Sequence, residues 1–141
     1  MPNTPAPSAV VLVVEDEVLV STPVVEQLKE ENCIVFEASS GEDALGFLES
    51  DPAVDVVFTD IRLGGDIDGW KVAKAFRDRD PHVGVIYTSG YASRPPEDMP
   101  NSRFFSKPYE PAEIVSVCLA LVKEKIAWPG SSAFRGENHS T

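Results

Sequence analysis

Val54-Asp55-Val56-Val57-Phe58-Thr59-Asp60 runs into Ile61-Arg62-Leu63-Gly64-Gly65-Asp66. The first seven residues are mostly apolar or β-branched, which reads as a strand covered on both faces. The run stops on Asp60, and the glycines after it break the chain. A carboxylate at the carboxyl end of a parallel strand stands where open α/β sheets bind their ligands. Taken alone, an Asp at a turn is ordinary. The ends of the other strands decide its meaning.

Upstream, residues 1–8 are Pro-rich and read as a tail. Ala9 to Val14 is an all-apolar strand that stops at Glu15-Asp16-Glu17. Val18 to Glu30 has helical spacing, with Val24, Val25 and Leu28 on its apolar face. Pro23 lies inside it and is expected to kink it or delay its start. Cys33 to Glu37 is the second strand. Ser39 or Ser40 caps the next helix, with Glu42 three residues after Ser39 as in a capping box.

Downstream, Asp68 caps a helix from Gly69 to Arg79 whose inner residues are Trp70, Val72, Ala73 and Phe76. Val83 to Thr88 is the fourth strand and Arg103 to Phe105 the fifth. Between them, residues 92–102 contain Pro95, Pro96 and Pro100 and only one large apolar residue, Met99. At most about one helical turn fits there, below the length that holds without strong packing. The last helix opens at Pro111, buries Ile114, Val117, Cys118, Leu121 and Val122, and fades after Ile126. Residues 127–141 read as a second tail, with no room for an output domain.

Strands alternating with helices imply an α/β fold: a five-stranded parallel sheet, doubly wound as (βα)5. The fourth helix is expected to be short, distorted or absent. Right-handed crossovers put all the strand ends on one edge.

The 141 residues suffice for one domain with a core. Acidic residues outnumber basic ones 23 to 12, for a net charge of −11. That balance argues against nucleic acid or an anionic membrane as a direct partner. Cys33 and Cys118 are too far apart in sequence for a metal motif and read as free, buried thiols of a reducing cytosol. No apolar run reaches transmembrane length, so no membrane insertion is expected.

On the shared edge the first strand presents Glu15 and Asp16, the third Asp60, the fourth Thr88, and the fifth leads to Lys107. Carboxylates pressed together repel unless a cation joins them. A hard ion such as Mg²⁺ takes oxygen ligands of this kind. Lys107 reaches an anion as a point charge, and the Thr88 hydroxyl can donate to it. A carboxylate nucleophile, a metal, a lysine and a hydroxyl are the parts needed to take up a phosphoryl group.

Four segments carry a family resemblance: Val11-Leu12-Val13-Val14-Glu15-Asp16-Glu17, Val57-Phe58-Thr59-Asp60, Tyr87-Thr88-Ser89-Gly90-Tyr91 and Phe105-Ser106-Lys107-Pro108-Tyr109. In this order they resemble the receiver domain of two-component response regulators, over residues 9–126. The resemblance implies strand order 2-1-3-4-5 and a phosphoacceptor at Asp60, charged by a histidine kinase or histidine phosphotransfer protein. It implies Mg²⁺ held by Glu15, Asp16, Asp60 and the backbone carbonyl of Arg62. Thr88 and Lys107 would hold the phosphoryl oxygens, and Lys107-Pro108 would be a cis peptide. The aromatic switch position falls on Phe104, which lacks the hydroxyl of the more usual Tyr. Glu15 stands where Asp is commoner. Thr88 and Lys107 are 19 residues apart, a short interval for a helix and two loops. Ordering of residues 92–102 on phosphorylation, to build a surface for a downstream protein, is one expectation. A loop that never changes is the other.

Asp66-Ile67-Asp68-Gly69 imitates other motifs. An EF-hand loop would need an acidic residue where Arg77 stands. A haloacid-dehalogenase-type phosphatase would end a strand directly on its first Asp, and Asp66 follows two glycines instead. A flavin carrier would need a phosphate loop where the acidic Glu15-Asp16-Glu17 lies. Two classes remain: a receiver that accepts phosphoryl groups and is no conventional enzyme, or a receiver-fold interaction module working without phosphorylation.

Overall fold

The computed structural model describes residues 6–50, 53–90 and 101–127. The β-branched run forms β3 (Val56–Asp60), buried at every position. It sits in mid-sheet with β1 (Val10–Val14) on one side and β4 (Gly84–Ser89) on the other. The edges are β2 (Ile34–Ala38) and β5 (Ser102–Ser106). All four pairings are parallel, in the order β2-β1-β3-β4-β5.

Side chains alternate across each strand, so each face collects every second residue. Val11, Val13, Phe58 and Ile86 pack with α1 (Val18–Glu30) and α4 (Pro111–Ala127). Leu12, Val14, Val57 and Tyr87 pack with α2 (Gly41–Glu49) and α3 (Gly69–Arg79). The two layers explain why the central strands are apolar at every position rather than at alternate ones. Among the described residues, no helix is long and apolar enough to cross a membrane.

Several local expectations shift. α1 does not start late: it runs unbroken from Val18 with Pro23 inside. The Pro23 ring removes the N–H that would serve the Leu19 carbonyl, and Leu19 is 90% exposed, so solvent is at hand. Cys33 lies just before β2 rather than within it. Ser40, not Ser39, caps α2, accepting from the Asp43 N–H at 3.0 Å. Counted from Ser40 the third residue is Asp43 rather than Glu42, and its carboxylate accepts from the Ser39 hydroxyl at 3.0 Å. Asp68 caps α3 as its position demands, accepting from the Lys71 N–H at 2.9 Å.

The described residues hold four helices. The expected short, distorted or absent fourth helix falls on residues 92–102, and residues 91–100 lie outside the described ones. So do most of both tails, residues 1–5 and 128–141.

Candidate functional site

Parallel register assembles the site. Asp60 is the last residue of β3 and stands opposite Thr88 of β4, while Val14 of β1 stands opposite Thr59. Glu15 therefore follows β1 at the level of Asp60. Two-residue alternation puts Glu15 on the face of Val13, Asp60 on that of Phe58 and Thr88 on that of Ile86. Lys107 continues the face of Phe105 beyond β5. Four side chains from four strands thus share one edge and one face.

Backbone bonds hold these strand ends. The Glu15 N–H donates to the Ala38 carbonyl at 3.0 Å, Ile61 N–H to Thr88 at 2.9 Å, and Lys107 N–H to Ser89 at 2.8 Å. The Lys107-Pro108 peptide is cis. Behind Asp60 the chain returns so closely that a Cβ on Gly69 would overlap the Asp60 carbonyl oxygen and lie 2.8 Å from Ile61 Cα. Only glycine fits there without moving backbone.

Lys107 Nζ donates to Asp60 Oδ2 at 2.8 Å and to Glu15 Oε1 at 3.1 Å. Both carboxylates are nearly buried, with side chains 8% and 4% exposed. Asp60 Oδ1 accepts from the Arg62 N–H at 3.2 Å, and Glu15 Oε2 from the Glu17 N–H at 3.1 Å. Burial pushes the Glu15 carboxyl up to about 6, against the opposing pull of the Lys107 hydrogen bond. Burial works against the Lys107 charge too, but its hydrogen bonds to Asp60 and Glu15 prevail and hold the ammonium above its ordinary value.

Asp16 is exposed beside them, and one oxygen from each of Glu15, Asp16 and Asp60 lies within 4.8 Å of the others. Three convergent carboxylate oxygens fit a hard divalent cation. The set combines an acidic cradle, a buried hydroxyl residue and a lysine shared by two carboxylates, which suits binding an anionic group carried on Asp60.

The response regulator receiver domain family matches residues 11–118. This chain belongs to that family. It is similar to a response regulator receiver protein from Sinorhizobium medicae, with 31% identity and a TM-score of 0.76 over 82% of this chain and 94% of that one. The response regulator protein TrrA of Thermotoga maritima, solved in complex with Mg²⁺-BeF, shares 26% identity at a TM-score of 0.68, over 80% of this chain and 98% of that one. In sequence the chain is 37% identical over 86 residues to the sensor kinase CckA of Brucella abortus. That match spans 60% of this chain but 9% of the kinase.

In this receiver domain Glu15, Asp16, Asp60 and Lys107 form one cluster, and Thr88 stands beside Asp60 in the sheet register. Arg62 joins through its backbone N–H. Phe104 does not enter the cluster. It faces the other side of the sheet and packs with the layer containing Tyr87, its register partner on β4. Trp70 sits against Tyr87 there, with ring centroids 4.5 Å apart. Sequence reasoning brought Lys107 to the edge of Asp60 and missed its bond to Glu15. It also missed Tyr109, whose ring meets Phe58 edge-on beneath the ion pair. No signal in the sequence gave that contact, because Tyr109 lies past the end of β5, where strand alternation no longer applies.

Proposed function

We propose that this receiver domain accepts a phosphoryl group on Asp60 and works in a two-component phosphorelay. The observation that carries the reading is the contact of Lys107 with Asp60 inside a trio of carboxylates. In the reaction an Asp60 carboxylate oxygen forms a bond to phosphorus. The bond from phosphorus to the donor's histidine nitrogen breaks, and its electron pair stays on that nitrogen. Lys107 and the Thr88 hydroxyl then hold the new phosphoryl oxygens. Glu15, Asp16, Asp60 and the Arg62 carbonyl are the ligands for Mg²⁺, which when bound offsets the charge on the transferring group. TrrA, with its Mg²⁺-BeF, lends support to the choice of ion.

The donor is a histidine kinase or histidine phosphotransfer protein, in keeping with the likeness to part of a sensor kinase. The output is a changed affinity for a downstream protein, with Phe104 as the aromatic switch position. The domain assists its own phosphorylation and dephosphorylation without being a conventional enzyme. A cytoplasmic setting accords with two buried free thiols, Cys33 and Cys118.

The test is intact-mass measurement after incubation with acetyl phosphate and Mg²⁺. A phosphoryl adduct is expected on the wild type and absent in Asp60→Asn. An unmodified wild type would leave the interaction-module reading in its place.

A further inference from the structure

The ion pair between Lys107 and Asp60 has a second pair beneath it. Asp60 and Phe58 are two residues apart on β3 and share a face. Lys107 and Tyr109 are likewise two apart in the segment after β5. The rings of Phe58 and Tyr109 meet edge to face, with centroids 5.7 Å apart and planes at 80°. Above, the Lys107 N–H is tied to the Ser89 carbonyl at 2.8 Å. The lysine is therefore held by β4 through its backbone and braced against β3 through the ring two residues on.

The ring is no ordinary core filler. Tyr109 is only half-buried, and with Val20, Pro23, Pro108 and Pro111 it lines a cavity of about 400 Å³. Its hydroxyl is buried without a hydrogen-bond partner, a cost that a phenyl ring would avoid. The edge-to-face contact with Phe58 has a directional geometry.

We propose that Tyr109 is a positioning residue for Lys107: its ring, set edge-on against Phe58, fixes the β5–α4 connection where the ammonium meets Asp60. The consequence for phosphoryl uptake rests on the reading of Asp60 as phosphoacceptor; the placement of Lys107 does not. A shift of about 1 Å in a group that stabilises the transferring charge is enough to lower the rate strongly.

Two variants separate ring from hydroxyl. Tyr109→Phe keeps the ring, and Tyr109→Leu removes it. The first readout is the rate at which an amine-directed acylating reagent modifies Lys107 in metal-free protein, mapped by mass spectrometry. It is expected to rise about fivefold or more in Tyr109→Leu and to stay at the wild-type rate in Tyr109→Phe, because a displaced ammonium loses its two carboxylates. The second is phosphoryl uptake from acetyl phosphate, expected to fall about tenfold in Tyr109→Leu, as misplacement of a charge-stabilising group implies. Wild-type Lys107 reactivity in folded Tyr109→Leu overturns the proposal. So does loss of uptake in Tyr109→Phe, which would assign the role to the hydroxyl. Should Tyr109→Leu fail to fold, Phe58→Leu removes the same contact from the other side and is judged by the same readouts. A wild type that takes up no phosphoryl group defeats the phosphoacceptor reading, while the acylation rates still judge Tyr109.

Discussion

Lys107 and Asp60, 47 residues apart in sequence, meet at 2.8 Å at the carboxyl edge of the sheet. The pair is mostly withdrawn from solvent, with side chains 20% and 8% exposed. Removing one member of such a pair leaves the other charge buried and uncompensated. Lys107→Ala strands two carboxylates, Asp60 and Glu15. In metal-free protein it is expected to cost about 2–4 kcal/mol in urea unfolding. Added Mg²⁺ should recover part of that loss by binding the folded state. A variant as stable as wild type without metal would show that the pair contributes nothing net.

Glu15 gives the pH dependence. Its carboxyl is raised from 4.5 to about 6, chiefly by burial. A group whose folded value lies above its unfolded one binds protons more tightly in the fold. Its contribution is fully present below 4.5 and is lost as pH rises through about 6. At about 1.4 kcal/mol per pH unit, the loss amounts to about 2 kcal/mol. Asp80 acts oppositely at lower pH. Burial works against its charge, but the Lys125 hydrogen bond and the His82 N–H prevail and hold it below 3.8. The clean measurement is therefore the difference between wild type and Glu15→Gln, each unfolded in urea between about pH 4 and 7.5 without metal. The wild type should lose stability relative to the variant across that range. Parallel curves would remove Glu15 as the cause.

Gly69 tests how the backbone places Asp60. A methyl there meets the Asp60 carbonyl and Ile61 Cα, neither of which can rotate away. Gly69→Ala should cost about 1–3 kcal/mol through overpacking, despite the better helix propensity of alanine. It should also weaken Mg²⁺ binding, since Asp60 must shift. Unchanged metal affinity with lowered stability would mean that the strand end absorbs the strain without moving its carboxylate.

The strands and helices were legible because two-sided burial makes the central strands uniformly apolar, and because Asp68 and Pro111 mark helix starts. The site was legible because Asp60 ends its strand and Thr88 and Lys107 lie within one residue of the ends of theirs, on one edge. Capping by Ser40 was ambiguous between neighbouring serines, and only the actual first helical residue, Gly41, resolves it. Arg77 was not legible at all. Its guanidinium ties α3 to the start of β5, donating to the Val83 carbonyl at 2.8 Å and the Ser102 hydroxyl at 3.0 Å. An arginine in a helix gives no sign of which distant carbonyl it will reach. The Phe58–Tyr109 contact was hidden likewise, since pairing of rings depends on how the segment after β5 turns.

Asp16 separates the metal from the lysine. It is exposed, whereas Glu15 and Asp60 are nearly buried and share Lys107. No bond to Lys107 ties Asp16, so its neutralisation leaves the ion pair in place. It does remove one of three oxygens that converge within 4.8 Å. Two charges at about that distance repel by about 1 kcal/mol in a water-like medium and by more near protein. Asp16→Asn should therefore leave the metal-free protein as stable as wild type or more so. Mg²⁺ affinity should fall about tenfold or more, because a neutral amide oxygen replaces an anionic ligand. The wild-type rise in melting temperature with Mg²⁺ should shrink accordingly. Calorimetric melts of both proteins across a Mg²⁺ series measure the two effects together. An equal metal-induced rise in both would take Asp16 out of the ligand set, and the site would then rest on Glu15, Asp60 and the backbone near Arg62.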